Sequence, residues 1–267
     1  MGKRLTALRS AVEEGRVGPA TRALRDNSIE SNLRVWDVEH PWTLHGEEWR
    51  DQARRCGQDY EAWRRSLVDS LLRPGAAGAD VLEIGPGHGR WSAELLGCCR
   101  RVWLVDLSPS CVEFCRQRFA SSENVSYHVT DGRTLPAGLD GAIDFVWSYD
   151  AFVHMSIDVI ASYLAEIHRV LRPGGRAVVH HAGRRHRALP LRGLRRLGRH
   201  GTLLYRFLSI GLDGCDDGWR SDVSGRSFER AARGAGLVVE RQSQCWAPGF
   251  GALGFGDLVS ELRRPAP

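Results

Sequence analysis

One stretch constrains this chain more than any other: Val81-Leu82-Glu83-Ile84-Gly85-Pro86-Gly87-His88-Gly89-Arg90-Trp91. A short apolar run suited to a buried strand leads straight into three alternating glycines and then a helix start. Glycines there let the backbone come close to a ligand, and the helix N-terminus behind them favours an anionic group such as a carboxylate. A dinucleotide fingerprint would need glycine where Arg90 stands, and the lysine of a phosphate-binding P-loop is missing.

The loop opens a regular alternation. Val81–Ile84, Val102–Val105, Val125–Thr130, Ile143–Trp147 and Ala177–His181 read as strands. Helical patterns fill the intervals, to about Leu96, over Pro109–Phe119 and over Ile157–Leu171, the last stopped by Pro173-Gly174-Gly175. Phe228–Ala235 reads as a helix, and Leu237–Trp246 and Phe255–Leu262 as two closing strands. Such alternation predicts an α/β fold, a mostly parallel sheet with helices on both faces. The short loop between the closing strands predicts an antiparallel hairpin at one edge. Before this region, Tyr60, Trp63, Leu67 and Leu71 fall at helical spacing, with Arg73-Pro74-Gly75 as the stop. The expected organisation is an N-terminal helical cap or lid over 1–72 and a main domain over 73–267, carrying an insertion at about 184–227.

Three successive strand ends then offer polar groups to one crevice. Asp106 closes the second strand, 19 residues after Gly87, where a carboxylate can accept both hydroxyls of a ribose. Asp131-Gly132 closes the third, where a carboxylate can accept an adenine amino group. The region resembles the class I S-adenosylmethionine-dependent methyltransferases, of the small-molecule or natural-product type. Glu83-Ile84-Gly85-Pro86-Gly87-His88-Gly89 matches the family's first motif, and Val105-Asp106-Leu107-Ser108 its second-strand acid. Asp131 matches the third-strand acid, Ile143-Asp144-Phe145-Val146-Trp147-Ser148 the fourth strand, and Leu171-Arg172-Pro173-Gly174-Gly175 the turn before the fifth. The resemblance implies a Rossmann-like sheet of seven strands with the last reversed, and S-adenosyl-L-methionine as cofactor. It places Gly85, Gly87 and Gly89 near the methionine moiety and Glu83 behind its amino group. Asp106 and Leu107 fall to the ribose, Asp131 and Gly132 to the adenine, and Trp147 and Ser148 to the cofactor's edge.

Methyl transfer to a hydroxyl needs alignment of donor and acceptor and removal of one proton. His154, after the fourth strand, is the leading base, with Asp150 four residues earlier and on the same face if the segment is helical. The carboxylate then orients the imidazole; ligation of a divalent cation by the pair is the lesser alternative, and no fixed-spacing cluster supports a metal. His180 and His181 end the fifth strand, where alternation turns only one of them to the crevice. His181 stands as an alternative base and His180 as a substrate contact. Trp42, Tyr149, Trp219 and Arg220 are further substrate-side candidates, and Trp36 and Trp49 share the aromatic N-terminal stretch.

Charge sharpens the choice of partner. The net charge is +5, but Arg184–His200 holds seven arginines and no acid, so the rest of the chain carries −2. A cationic insert of this kind can meet an anionic acceptor, nucleic acid or a membrane surface. Lys3 is the only lysine, and the Asn/Asp-Pro-Pro-Tyr and Pro-Cys motifs of base methylation are absent, which argues against nucleic acid as substrate. The composition, 42% hydrophobic and 26% charged, excludes a disordered or fibrous chain. No apolar run is long enough to span a membrane. The basic start lacks an apolar signal core, and seven cysteines without a C-x-x-C read as reduced thiols, which together predict a cytoplasmic protein. The expected function is methyl transfer to a small-molecule acceptor, a hydroxyl of a sugar or natural product. N- or C-methylation and a non-catalytic scaffold are the alternatives; the sequence fixes no oligomeric state.

Overall fold

The computed structural model describes residues 27–47, 50, 53, 59–183, 193–194, 196–201, 204, 220–247, 250–251 and 256–266. Seven strands form one sheet: β1 (Asp80–Ile84), β2 (Arg101–Asp106), β3 (Val125–Val129), β4 (Ile143–Ser148), β5 (Leu171–His181), β6 (Val238–Ser243) and β7 (Leu258–Arg263). Their spatial order is β3-β2-β1-β4-β5-β7-β6. β1 to β5 run parallel, while β7 lies between β5 and β6, antiparallel to both. The closing hairpin therefore forms as expected, with β6 on the edge. A separate ladder pairs Cys245–Ala247 with Phe250–Gly251.

β1 lies inside the sheet, between β2 and β4, and is covered on both faces, which is why it reads as an almost unbroken apolar run. Leu82 and Ile84 face one core with Val105, Val146 and Val179, closed by α5 (Ile157–Val170) and α6 (Gly225–Gly234). Val81 faces the other with Val102, Phe145 and Trp147. That second core is closed by α2 (Tyr60–Leu67), α3 (Arg90–Leu96) and α4 (Pro109–Arg118). A first helix, α1 (Ile29–Arg34), widens into a π-turn at Val35–Glu39.

Three boundaries differ from the sequence reading. Pro74 does not end its helix: α2 passes through a π-turn at Val68–Leu72 into a last turn, Arg73–Ala76. The wide turn ahead of the proline accommodates a ring that would clash with a regular preceding turn. The division after residue 72 thus falls inside a continuous helix, whose Trp63, Leu67 and Leu72 are buried against the sheet. β5 starts at Leu171 rather than Ala177, because its pairing jumps from Ile143↔Leu171 to Phe145↔Arg176 and the Pro-Gly-Gly sits in the bulge. The helix expected from Phe228 starts at Gly225, where Ser224 and Ser227 cap it reciprocally. Most of the arginine-rich insert, with Trp219 and Trp49, lies outside the described residues.

Trp63 tests whether α2 is core rather than cap. It is 1% exposed and packs edge-on against Trp91, with ring centroids 5.8 Å apart. Trp63→Ala is expected to cost about 3–5 kcal/mol in chemical denaturation. A loss under about 1 kcal/mol would show that α2 packs independently of the sheet.

Candidate active site

The crossover from β3 back past β1 to β4 opens a crevice at the carboxyl ends of the parallel strands, where open α/β sheets bind ligands. A cavity of about 280 Å³ lies there. Its floor is the glycine loop, with Gly85 at φ +74° and Gly87 at φ +56°. A Cβ on Gly85 would come 2.5 Å from the Ala151 side chain, and one on Gly87 2.6 Å from the Trp42 ring. Only glycine therefore allows both the left-handed turns and the close approach.

Asp106 is the cavity's buried acid. Its Oδ2 accepts the Gly87 N–H at 3.1 Å and its Oδ1 the Ser108 N–H at 2.8 Å. Burial lifts its pKa to about 6, against those backbone donors. Each carboxylate oxygen keeps a second lone pair, so the same acid can still accept from two hydroxyls. Glu83 is buried beneath the loop instead, taking the Ser92 hydroxyl at 2.6 Å, and desolvation raises it to about 8.

The N-terminal segment forms the roof, held by hydrogen bonds of Asp37, Asn32 and Trp42. Asp37 Oδ1 accepts from Ser110 N–H at 2.9 Å and from the Ser108 hydroxyl at 2.8 Å, at the N-terminus of α4. Asn32 donates to the His154 carbonyl at 2.9 Å and receives the Trp36 indole N–H at 3.1 Å. Trp42 donates to the Trp36 carbonyl at 2.9 Å and stacks on His88. Trp36 and Trp42 thus both line the cavity, and Trp36 stands 4.9 Å from the His154 ring.

The remaining wall comes from the ends of β4 and β5. Tyr149 stacks on His180 at 4.3 Å. Asp150 stands at φ +71°, the one non-glycine residue in that region among the described residues. Its N–H donates to His180 Nδ1 at 3.2 Å, and Arg220 Nη2 approaches its carboxylate at 3.6 Å. Arg220 also reaches Asp257 at 3.0 Å. His154, 4% exposed, ends a single 3-10 turn, Phe152–His154. The helical spacing expected to align Asp150 with His154 is therefore replaced: the left-handed residue breaks the helix, and the described partner of Asp150 is Arg220.

The two terminal histidines separate as strand alternation requires. Burial first, then the Arg220 charge, drives the His180 pKa well below 6.5. With Nδ1 accepting from Asp150, His180 holds the wall rather than taking a proton from a ligand. His181 faces the other core, stacked on Phe228 at 3.7 Å, with Nδ1 donating to the Ala182 carbonyl and Nε2 accepting from Ser260. Burial lowers its pKa to about 4, and it is removed from the candidate bases.

Of the residues singled out in the sequence, Gly85, Gly87, Asp106, Leu107, Gly132, Trp42, Tyr149, Asp150, His154 and Arg220 line this cavity. Glu83, Gly89, Asp131, Trp147, Ser148, His180 and His181 do not, and Trp219 lies outside the described residues. Asp131 is occupied in its own turn: burial alone would raise it, but the Arg133 and Thr134 donors hold it below the usual carboxylate range. Gly89 caps α3 and packs towards Phe119, Trp147 is core, and Ser148 donates to the Ile84 carbonyl at 2.8 Å. Asn32, Asp37 and Arg90 were not among the site candidates read from the sequence. The four-residue step from Asn32 to Trp36 was a visible signal; nothing near Asp37 announced its partners 71 and 73 residues away.

A family model described as a methyltransferase domain matches residues 81–175. Over that stretch the chain is similar to the methyltransferase domain that the family model describes. This domain is 33% identical over 124 residues to a ubiquinone/menaquinone biosynthesis C-methyltransferase of Desulfotalea psychrophila, covering 46% of this chain and 48% of that one. It is 29% identical over 147 residues to a demethylmenaquinone methyltransferase of Tropheryma whipplei, covering 51% and 59%. The match thus spans about half the length of these curated relatives. The fold superposes on the N-methyltransferase NodS of Bradyrhizobium japonicum, solved with S-adenosyl-L-homocysteine, with TM-score 0.56 and 18% identity over 90% of this chain and all of that one.

Asp106 yields a pH prediction for the methyltransferase domain. Only its ionised form can accept two hydroxyls, and its pKa near 6 is raised, so the proton returns as pH falls through that value. Affinity for S-adenosyl-L-homocysteine, measured by calorimetry, is expected to be flat above about pH 7 and to fall by up to about tenfold per unit below 6. Asp106→Asn should bind more weakly throughout and lose that step. An unchanged pH profile in the variant would remove Asp106 from the ribose.

Proposed function

We propose that this protein transfers a methyl group from S-adenosyl-L-methionine to a small-molecule acceptor, with His154 as the general base. The observation that carries the reading is one cavity holding both halves of the chemistry: the glycine floor with Asp106 at one side, and His154, Asp150 and Tyr149 at the other. The residues present fit the cofactor. Gly85 and Gly87 leave room that a Cβ would fill, and Asp106 presents a buried carboxylate at the strand end. Gly132, against which Ile29 packs, would border the adenine. When bound, the cofactor supplies a methyl group on a sulfonium, already a good leaving group.

The chain's own task is alignment and proton removal. Asn27 and Asn32 both donate to the His154 carbonyl, which fixes the backbone that carries the ring. Trp36 packs on one side of that ring. Tyr149, stacked on His180, and Trp42 give the acceptor apolar faces and limit water. A hydroxyl acceptor beside His154 would lose its proton to the imidazole as the oxygen attacks.

A second reading keeps the same base and changes the attacking atom. Relatives of this domain include a ubiquinone/menaquinone biosynthesis C-methyltransferase and a demethylmenaquinone methyltransferase. A ring hydroxyl deprotonated by His154 would push electron density onto an adjacent ring carbon, and the aromatic walls suit a planar ring. Either acceptor makes His154 the residue to remove. His154→Ala is expected to lower kcat about 10²- to 10⁴-fold while leaving S-adenosyl-L-homocysteine affinity within about twofold. Incubating the chain with radiolabelled cofactor and a panel of phenols, hydroquinones and sugar alcohols reads both rate and product. Full turnover in the variant would remove His154 as base.

A further inference from the structure

Asp257 is a buried charge with no role in the proposed reaction. It lies just before β7, is fully enclosed, and is not among the residues that line the cavity. Two glycines let the chain after β5 and the chain before β7 meet there: a Cβ on Gly183 would come 1.9 Å from the Gly256 carbonyl oxygen. The Asp257 carboxylate faces two side chains. Its Oδ2 accepts from Arg220 Nε at 3.0 Å and lies 3.6 Å from His180 Nε2. Burial keeps His180 neutral, and its Nδ1 accepts from the Asp150 N–H, so Nε2 carries the proton that faces Asp257.

Both of these partners converge on Asp150. His180 takes the Asp150 N–H at 3.2 Å, and Arg220 Nη2 stands 3.6 Å from the Asp150 carboxylate. Asp150 is thus gripped by its backbone from β5 and by its side chain from the segment around residue 220. Its φ of +71° gives the grip a purpose, because a residue with a Cβ keeps a left-handed conformation only where its surroundings fix it. The turn that starts there carries His154, whose N–H donates to the Ala151 carbonyl at 3.1 Å. Ser221, next to Arg220, donates its N–H to the Val153 carbonyl at 2.7 Å, so the same segment also holds the residue before the histidine.

We propose that Asp257 is a positioning residue: its carboxylate holds Arg220 and His180 against Asp150, and through Asp150 it fixes the turn that carries His154. The clamp rests on the reading of His154 as base only for its effect on turnover. Asp257 touches no ligand in this account. It divides the Arg220 charge between two carboxylates, at 3.0 and 3.6 Å, and its loss turns that charge wholly on Asp150 and shifts the turn with it.

Hydrogen exchange followed by NMR tests the clamp on the ligand-free chain, in wild type, Asp257→Asn, Asp257→Glu and the double variant Asp257→Asn/Arg220→Gln. Asp257→Asn is expected to speed exchange of the Asp150, His154 and Ser221 amides about tenfold or more relative to those of Leu82 and Val105 in the central strands. Asp257→Glu keeps the charge and recovers part of that protection. The double variant leaves no guanidinium without its carboxylate, so it decides the matter if the single variant does not fold, and it shows the same three fast amides. In Asp257→Asn, S-adenosyl-L-homocysteine affinity stays within about twofold, while kcat for whichever acceptor of the panel above wild type methylates fastest falls about 10- to 100-fold and KM changes less. Unaltered exchange at the three amides in a folded variant, or equal acceleration across the whole sheet, would overturn the clamp. Fast amides in Asp257→Asn beside full turnover in His154→Ala would remove the base and leave the clamp standing.

Discussion

The hydrogen bond from the Gly87 N–H to the Asp106 carboxylate, 3.1 Å long, is the contact on which the site depends. It joins the ends of β1 and β2, adjacent strands whose register sets Ile84 against Val105. It also keeps a carboxylate in a pocket that burial would otherwise discharge, since backbone donors offset part of the desolvation. Loop conformation, acid position and cavity floor follow from this one arrangement. Ser108 extends it, because its N–H serves Asp106 while its hydroxyl serves Asp37 in the roof.

The roof shows how a distant segment is held by directed hydrogen bonds as well as by the packing of Leu33 and Val35. Asp37, Asn32 and Trp42 each make directed hydrogen bonds, to α4, to the His154 carbonyl and within the segment itself. The same carbonyl collects Asn27 and Asn32, so roof and candidate base are held by one group. Shifting the segment would release the aromatic wall and the histidine together. In this way the cavity roof and His154 are coupled through the backbone rather than through side-chain packing alone.

The central fold was legible because its signals are local. Val81–Ile84, the alternating glycines and Asp106 lie within one strand–loop–helix–strand unit. The reversed last strand came from the resemblance of those motifs and from the short loop before it, while the strand order was read only from the structure. What stayed hidden depends on tertiary context. Which of His180 and His181 faces the cavity is a matter of strand phase, set by the pairing of β5 with β7. The left-handed turn at Asp150 is held by His180, thirty residues on, so spacing alone pointed to a helix that does not form. Pro74 was read as a stop because a proline usually is one; the π-turn before it removes the clash.

The proposed reaction requires one cavity to bring a cofactor's sulfur to His154. The direct test is a crystal structure of the chain with S-adenosyl-L-homocysteine. Both ribose hydroxyls are expected on the Asp106 carboxylate, with the thioether sulfur facing the space beside His154 and Trp42 still roofing the loop. A ligand whose sulfur faces away from His154, or whose ribose leaves Asp106 untouched, would contradict it.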